Sequence, residues 1–366
     1  MKTKLVFVVN SLQGGGAERV VSTLCSCLCK GNFDITIICL NKAEQAYKVA
    51  EEVKMIHLVN RRDTDNIFFR IWYALLTLFG LIFALKREKP KCAVSFMTTA
   101  NLWTGFVCRL VAVPYFVSER ITPDYTIHQF NNFLKWFSFK IYRKSRAIVV
   151  PARGIEECFK KYKAFESLKN FKTIHNPVSR FRVNDAPSVY PRRFVLGVGR
   201  LDKQKGFDLL IEAYHILKPD NVDLLISGEG PDREQLQAQI DSYGFQDRIK
   251  LIGFKNNIHD YYKQADMFVL SSRNEGYPNA LVEAMSFGCA VIAADCEFGP
   301  SEIIDNERNG LLVKVNNVFA IARAMSKLLN DPILKFRISQ NALMINQTNS
   351  LDAISAKWEN LILSHV

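Results

Sequence analysis

This sequence predicts an α/β fold made of two doubly wound, parallel-sheet domains, and three observations carry that prediction. Short apolar runs of strand type alternate with helix-type segments along nearly the whole chain, as in parallel sheets covered by helices. The alternation pauses at residues 177–193, where Pro177, Pro187 and Pro191 fall, and then begins again; such a stretch reads as an interdomain linker. Finally, 366 residues with 48% apolar, 23% charged and 11% aromatic content are globular in composition and longer than one core usually organises. Ligands in such folds collect at the carboxyl ends of the strands, and both domains are expected to offer those ends to a shared cleft.

The first half opens on a run at 4–10 that breaks into Gly14-Gly15-Gly16, continues as a helix over 17–29 and returns as a strand at 34–40. This is a βαβ start. The glycine turn lacks Gly-x-Gly-x-x-Gly spacing, and no acidic residue follows the second strand where a dinucleotide site needs one, which argues against NAD. Further strands are predicted at 55–59, 93–97, 114–118, 147–150 and 173–175. Between them lies a 15-residue apolar run, 71–85, flanked by Arg70 and by Lys86-Arg87. It falls short of the ~20 residues that span a bilayer, and reads either as a helix buried in the first domain or as a surface helix partly inserted into lipid. Residues 130–146 interleave Phe130, Phe133, Trp136, Phe137, Phe139 and Tyr142 with Lys135, Lys140, Arg143, Lys144 and Arg146, the make-up of an interfacial helix.

After the linker the pattern gives strands at 194–199, 222–227, 249–253, 267–271 and 290–294, with helices at 207–217, 233–243, 258–264 and 279–287. A last helix, 351–363, carries Leu351, Ile354, Trp358, Leu361 and Ile362 on a face suited to packing on another surface. The expected domains are 1–185, 186–350 and this C-terminal helix, 351–366.

Charge is shared unevenly. Residues 1–190 hold 29 Lys and Arg against 14 Asp and Glu, whereas 191–366 hold 19 against 22. The basic half therefore needs an acidic partner: nucleic acid, anionic lipid or a pyrophosphate-bearing substrate. Nucleic acid is the disfavoured partner, since the second half is itself slightly acidic. The apolar run after Lys4 is too short for a signal-peptide core, so a reduced, cytosolic chain is expected and its nine cysteines are read as thiols. Cys25, Cys27 and Cys29 alternate on a helix, which splays them around the axis, and no histidine accompanies them; metal binding is not expected there.

Three stretches carry chemistry. Glu275 and Glu283, with seven residues between them, bracket the start of a helix at Asn279. Free N–H groups at that helix start suit an anion, and Ala280 and Leu281 belong to the same turn. Arg200 and Lys205, in Gly199-Arg200-Leu201 and the following Lys205-Gly206, place two cations beside another helix start, fit to hold a diphosphate. Gly228-Glu229-Gly230-Pro231 is a turn that either lets backbone pass close to a base or ribose or simply turns tightly.

Together with Gly15-Gly16-Ala17-Glu18-Arg19 and Asn176-Pro177-Val178, these stretches resemble the retaining glycosyltransferases of family 4, whose two-Rossmann architecture is called GT-B. The resemblance covers nearly the whole chain. It implies that Arg200 and Lys205 bind the donor diphosphate, Glu275 lies at the transferred sugar, Glu283 binds the ribose, and the backbone at Asn279, Ala280 and Leu281 cradles the distal phosphate, with Gly15, Gly16, Gly228 and Glu229 lining the donor site. It implies front-side transfer with retention and no metal or other cofactor, since Arg200 and Lys205 neutralise the diphosphate and Asp295 is not part of an Asp-x-Asp pair. One position departs. Many relatives have Ser-Glu-His where this chain has Ser118-Glu119-Arg120, and arginine is no general base at neutral pH. Arg120 is then expected at an acceptor phosphate, with Glu119 or Asp124 at the acceptor hydroxyl; a structural salt bridge is the competing reading.

The resemblance is closest to bacterial enzymes that extend polyprenyl-diphosphate-linked saccharides of envelope glycans. It implies a UDP-sugar donor, a hexose or N-acetylhexosamine transferred, a lipid-linked acceptor, an acceptor-binding first domain on the anionic cytoplasmic face of the inner membrane, and a C-terminal helix that returns to that domain. The competing functions are a soluble sugar-phosphate or glycan synthase of the same fold, which the basic aromatic segment disfavours, and a catalytically idle nucleotide-binding scaffold, which the joint presence of Arg200, Lys205, Glu275 and Glu283 disfavours.

Overall fold

The computed structural model describes residues 2–13, 15–60, 66–178 and 187–365. The chain divides into two compact units, Met1–Pro177 with Leu351–Val366, and Val178–Ser350. The unit changes inside the proline-bearing stretch, whose expected boundary at 185/186 lies outside the described residues.

Unit 1 contains β1 (Thr3–Val9), β2 (Phe33–Asn41), β3 (Lys54–Val59), β4 (Cys92–Phe96), β5 (Tyr115–Ser118), β6 (Ile148–Val150) and β7 (Phe171–Thr173). They form one sheet in the order β3-β2-β1-β4-β5-β6-β7, every pair parallel. Alternate residues of β1 enter different cores: Leu5, Phe7 and Val9 one, Val6 and Val8 the other. A strand covered on both faces must be apolar throughout, which is why β1 reads as an unbroken run. The C-terminal helix, Leu351–Leu363, inserts Ile354, Trp358 and Ile362 into the first of these cores. Trp358 is fully buried, its ring 5.6 Å from that of Phe96.

Unit 2 contains β8 (Arg193–Val198), β9 (Val222–Ser227), β10 (Ile249–Gly253), β11 (Met267–Leu270), β12 (Val291–Ala294) and β13 (Leu311–Val313), in the order β10-β9-β8-β11-β12-β13 and again all parallel. In each sheet the chain begins in the middle, winds one way and then crosses to the other side, so the winding reverses between β1 and β4 and between β8 and β11. The carboxyl ends at such a reversal splay apart and leave a crevice.

The apolar run of the first half is part of a 22-residue helix, Ile67–Glu88, with Asn66 Oδ1 accepting from Phe68 N at 2.9 Å. Only Thr77, Leu81, Ala84 and Leu85 are buried. It is the one helix among the described residues long and apolar enough to cross a membrane. The second aromatic segment is the helix Asn132–Lys144, with Ile141 and Tyr142 inward and Phe133 and Trp136 exposed. All nine cysteines are free thiols, and among the described residues no group of three or more His, Cys, Asp or Glu is placed to hold a metal.

Candidate active site

The crevice of unit 2 gathers the loops that leave β8 and β11. Lys205, at the end of the β8 loop, donates from Nζ to Glu275 Oε1 at 2.7 Å, and Ser272 Oγ donates to the same oxygen at 2.7 Å. The Glu275 carboxylate is almost wholly buried while Lys205 is partly exposed. A buried carboxylate is tolerated only with such partners. The two residues, 70 apart in sequence, meet because their strands are neighbours at the reversal.

Local backbone holds the two loops together. Gly206 has φ +65°, and a Cβ there would fall 2.3 Å from the Ser271 carbonyl oxygen. Only glycine permits this approach. Around it Arg273 N donates to Gln204 O at 2.8 Å and Ser271 Oγ to Lys205 O at 3.0 Å. The Arg273 guanidinium forks onto Asp208 at 2.8 and 2.6 Å. Ser272, Arg273 and Asp208 belong to no motif in the sequence. Their signal was positional: each lies just past a strand end or just inside the helix facing it.

Gly228-Glu229-Gly230 lies against the β8 loop. A Cβ on Gly228 would fall 1.8 Å from Gly199 O, and one on Gly230 2.3 Å from Leu201 O, while Leu201 N donates to Glu229 O at 2.9 Å. Close packing of two loops therefore accounts for both glycines. The Glu229 side chain is exposed and paired with Arg233 at 3.3 Å. Arg200 is also exposed, its Nε 2.5 Å from Asp202 Oδ2, so it stands at the crevice without joining the Lys205–Glu275 pair.

Asn279 is the first residue of the helix Asn279–Ser286. Leu281 N donates to Pro278 O at 3.1 Å, so that donor is used within the first turn. Glu283 is buried, with Tyr262 Oη 3.4 Å from its Oε2. Arg200, Lys205, Gly228, Glu229, Glu275, Asn279, Ala280, Leu281 and Glu283 thus all lie on segments that follow the carboxyl ends of β8, β9 and β11, and of their side chains Lys205 and Glu275 are in direct contact. A second buried carboxylate, Asp223, is held by Tyr190, Arg192 and Arg248, but it sits at the amino end of β9 and belongs to the scaffold.

In unit 1, Gly15 and Gly16 follow β1 and begin the helix Gly16–Leu28, Gly14 lying outside the described residues. Glu119, just beyond β5, is buried and accepts from Thr98 Oγ1 at 3.0 Å, Asn101 Nδ2 at 2.8 Å and the Tyr142 hydroxyl. Burial outweighs these bonds and pushes its carboxyl up to about 7. Arg120 is equally enclosed, its guanidinium 4.8 Å from the Phe96 ring and 6.0 Å from that of Trp358, with Nη1 donating to Asn176 Oδ1 at 2.5 Å. Burial lowers it to about 9. Among the described residues its Nε and Nη2 have no hydrogen-bond partner. Asp124 is engaged by the Tyr162 hydroxyl and by Cys158 Sγ at 3.3 Å. Glu119 and Asp124 are therefore both engaged within the protein.

Comparison with known proteins settles what this scaffold belongs to. A family model described as Glycosyltransferase Family 4 matches residues 14–182, and one described as Glycosyl transferases group 1 matches residues 184–343. The chain is a glycosyltransferase of GT-B architecture. This glycosyltransferase is similar to two Campylobacter jejuni enzymes. With "GalNAc-alpha-(1->4)-GalNAc-alpha-(1->3)-diNAcBac-PP-undecaprenol alpha-1,4-N-acetyl-D-galactosaminyltransferase" it shares 27% identity over 98% of each chain. With "N-acetylgalactosamine-N,N'-diacetylbacillosaminyl-diphospho-undecaprenol 4-alpha-N-acetylgalactosaminyltransferase" it shares 28% over 91% of this chain and 92% of the other. Its fold is that of the Anabaena protein HepE, solved in complex with UDP, at a TM-score of 0.80 and 19% identity over 100% of both chains. The predicted GT-B architecture is therefore the observed one.

Proposed function

We propose that this glycosyltransferase moves a hexose or N-acetylhexosamine from a UDP-sugar to a polyprenyl-diphosphate-linked saccharide, with retention of configuration, at the cytoplasmic face of the inner membrane during synthesis of a bacterial envelope glycan. The observation that carries the reading is the Lys205–Glu275 pair at the crevice of unit 2, with Arg200 exposed on the same β8 loop as Lys205. Undecaprenyl-diphosphate acceptors and α linkages in the names of the two Campylobacter relatives support the acceptor class and the stereochemistry. The UDP complex of the HepE structure supports the donor.

In this reading unit 2 holds the donor and unit 1 the acceptor. Lys205 and Arg200 take the diphosphate, the first turn of Asn279–Ser286 faces the distal phosphate, Glu283 takes the ribose and Glu275 the sugar. The bond between sugar C1 and the diphosphate oxygen breaks with its electron pair going to that oxygen. The acceptor hydroxyl forms the new C1–O bond on the same face, and its proton passes to the departing phosphate oxygen. Two cations at the diphosphate stabilise the charge that develops there, so no metal is needed; preorganised charge and positioning supply the rate.

The test is incubation with a panel of UDP- and GDP-sugars and a polyprenyl-diphosphate-linked acceptor, with and without chelator. Release of UDP with an α-linked product, unchanged by chelator, is expected. No nucleotide release from any donor would overturn the enzymatic reading, and activity lost to chelator would overturn the metal-free mechanism.

A further inference from the structure

The helix Ile67–Glu88 is apolar for most of its length, yet its buried residues all lie from Thr77 onward and on one side. Thr77, Leu81 and Ala84 are buried. At 100° per residue Phe68, Trp72, Leu75, Phe79 and Phe83 fall on the opposite side, and all five are exposed, Phe68 by 78% and Phe83 by 65%. This stripe is about 22 Å long at ~1.5 Å per residue. Contiguous exposed apolar surface of this extent marks an interaction site.

Its surroundings identify the occupant. The same core receives the buried residues of Thr98–Leu110 and Asn132–Lys144, so these helices share one face of the unit 1 sheet with Ile67–Glu88. They add exposed Leu110, Phe133 and Trp136. Cations stand over the aromatic rings, Arg87 5.7 Å from Phe83, Lys140 5.6 Å from Trp136 and Arg143 5.3 Å from Phe139. Asn132–Lys144 carries no acidic residue, and the single one on Ile67–Glu88, Glu88, is already paired with Lys54 and Arg87. Aromatic side chains flanked by snorkelling cations, with almost no anions, match an anionic headgroup layer over hydrocarbon.

We infer that Ile67–Glu88 is a monotopic anchor, lying flat in the headgroup boundary of an anionic bilayer with the stripe from Phe68 to Phe83 in the acyl region. The helix does not cross the membrane, because turning upright would strip Thr77, Leu81, Ala84 and Leu85 from the sheet they cover. The inference rests on the proposed lipid-linked acceptor, whose diphosphate lies at that same boundary. It adds the element that docks and its orientation.

Flotation of the full chain with vesicles of phosphatidylcholine and phosphatidylglycerol tests it, beside the variant Phe68→Ser, Trp72→Ser, Phe79→Ser, Phe83→Ser. Wild type is expected to float with anionic vesicles and the variant to lose at least about tenfold in partitioning, while melting like wild type and keeping its turnover on a short-chain, water-soluble acceptor. Wild type that ignores vesicles, a variant that floats equally well, or a dimer that forms without lipid and is abolished by the variant would each overturn the anchor. Wild type that floats but releases no nucleotide from any donor would instead overturn the proposed transfer.

Discussion

At the scale of single residues the crevice separates groups that look alike in the sequence. Glu275 and Glu283 are both buried, yet one is held by Lys205 and Ser272 and the other lies against Tyr262. Glu275→Ala is expected mainly to lower kcat and Glu283→Ala mainly to raise the donor KM; steady-state kinetics giving equal effects on both would contradict that division. Lys205→Ala should cost about 10²–10³ in transfer rate, the size of losing one preorganised charge contact. Glu119 makes a different prediction. Its carboxyl is raised to about 7 by burial, so the folded state binds the proton more tightly than the unfolded chain does. The stabilisation is fully present below the ordinary carboxylate range and is lost as pH rises through about 7. Melting temperature should therefore fall between pH 5 and pH 8 in wild type, and by less in Glu119→Gln. These residue types and spacings were legible in the chain, and so was the Arg120 departure. Their engagement was not: that Glu119 and Asp124 are bound up by Tyr142 and Tyr162 depends on side chains 23 and 38 positions away.

At the scale of elements, legibility followed how local the determining force is. Runs such as β1 and β9 declare themselves because burial on both faces demands unbroken apolarity. β13 went unread because three residues, Leu311–Val313, owe their strand form to pairing with β12 rather than to any pattern of their own. The short last strand of unit 1 was expected at 173–175 and lies at Phe171–Thr173, register being set by β6. The apolar run at 71–85 sits inside a longer helix, Ile67–Glu88, whose start is fixed by the Asn66 cap. Gly206 offers the sharpest test at this scale. Gly206→Ala places a methyl against the Ser271 carbonyl in a left-handed conformation, so it should lose about 1–2 kcal/mol in chemical denaturation and displace Lys205 from Glu275. Trp358→Ala, which empties a fully buried site between the C-terminal helix and Phe96, should cost about 3–5 kcal/mol.

At the scale of the whole molecule, the uneven charge and the repeated alternation point the same way. The first half, with 29 basic against 14 acidic residues, carries the exposed aromatic helices, while the slightly acidic second half builds a crevice around two cations. In the proposed function the basic unit meets a diphosphate-bearing, membrane-held acceptor and the second unit holds the donor. The central claim is transfer from a UDP-sugar to that acceptor with retention, and the most direct measurement is the anomeric configuration of the purified product, formed from a UDP-sugar and a polyprenyl-diphosphate-linked acceptor. An α linkage, formed by wild type and abolished together with UDP release in Lys205→Ala, is the predicted result. A β linkage, or transfer that proceeds undiminished in Lys205→Ala, would contradict it.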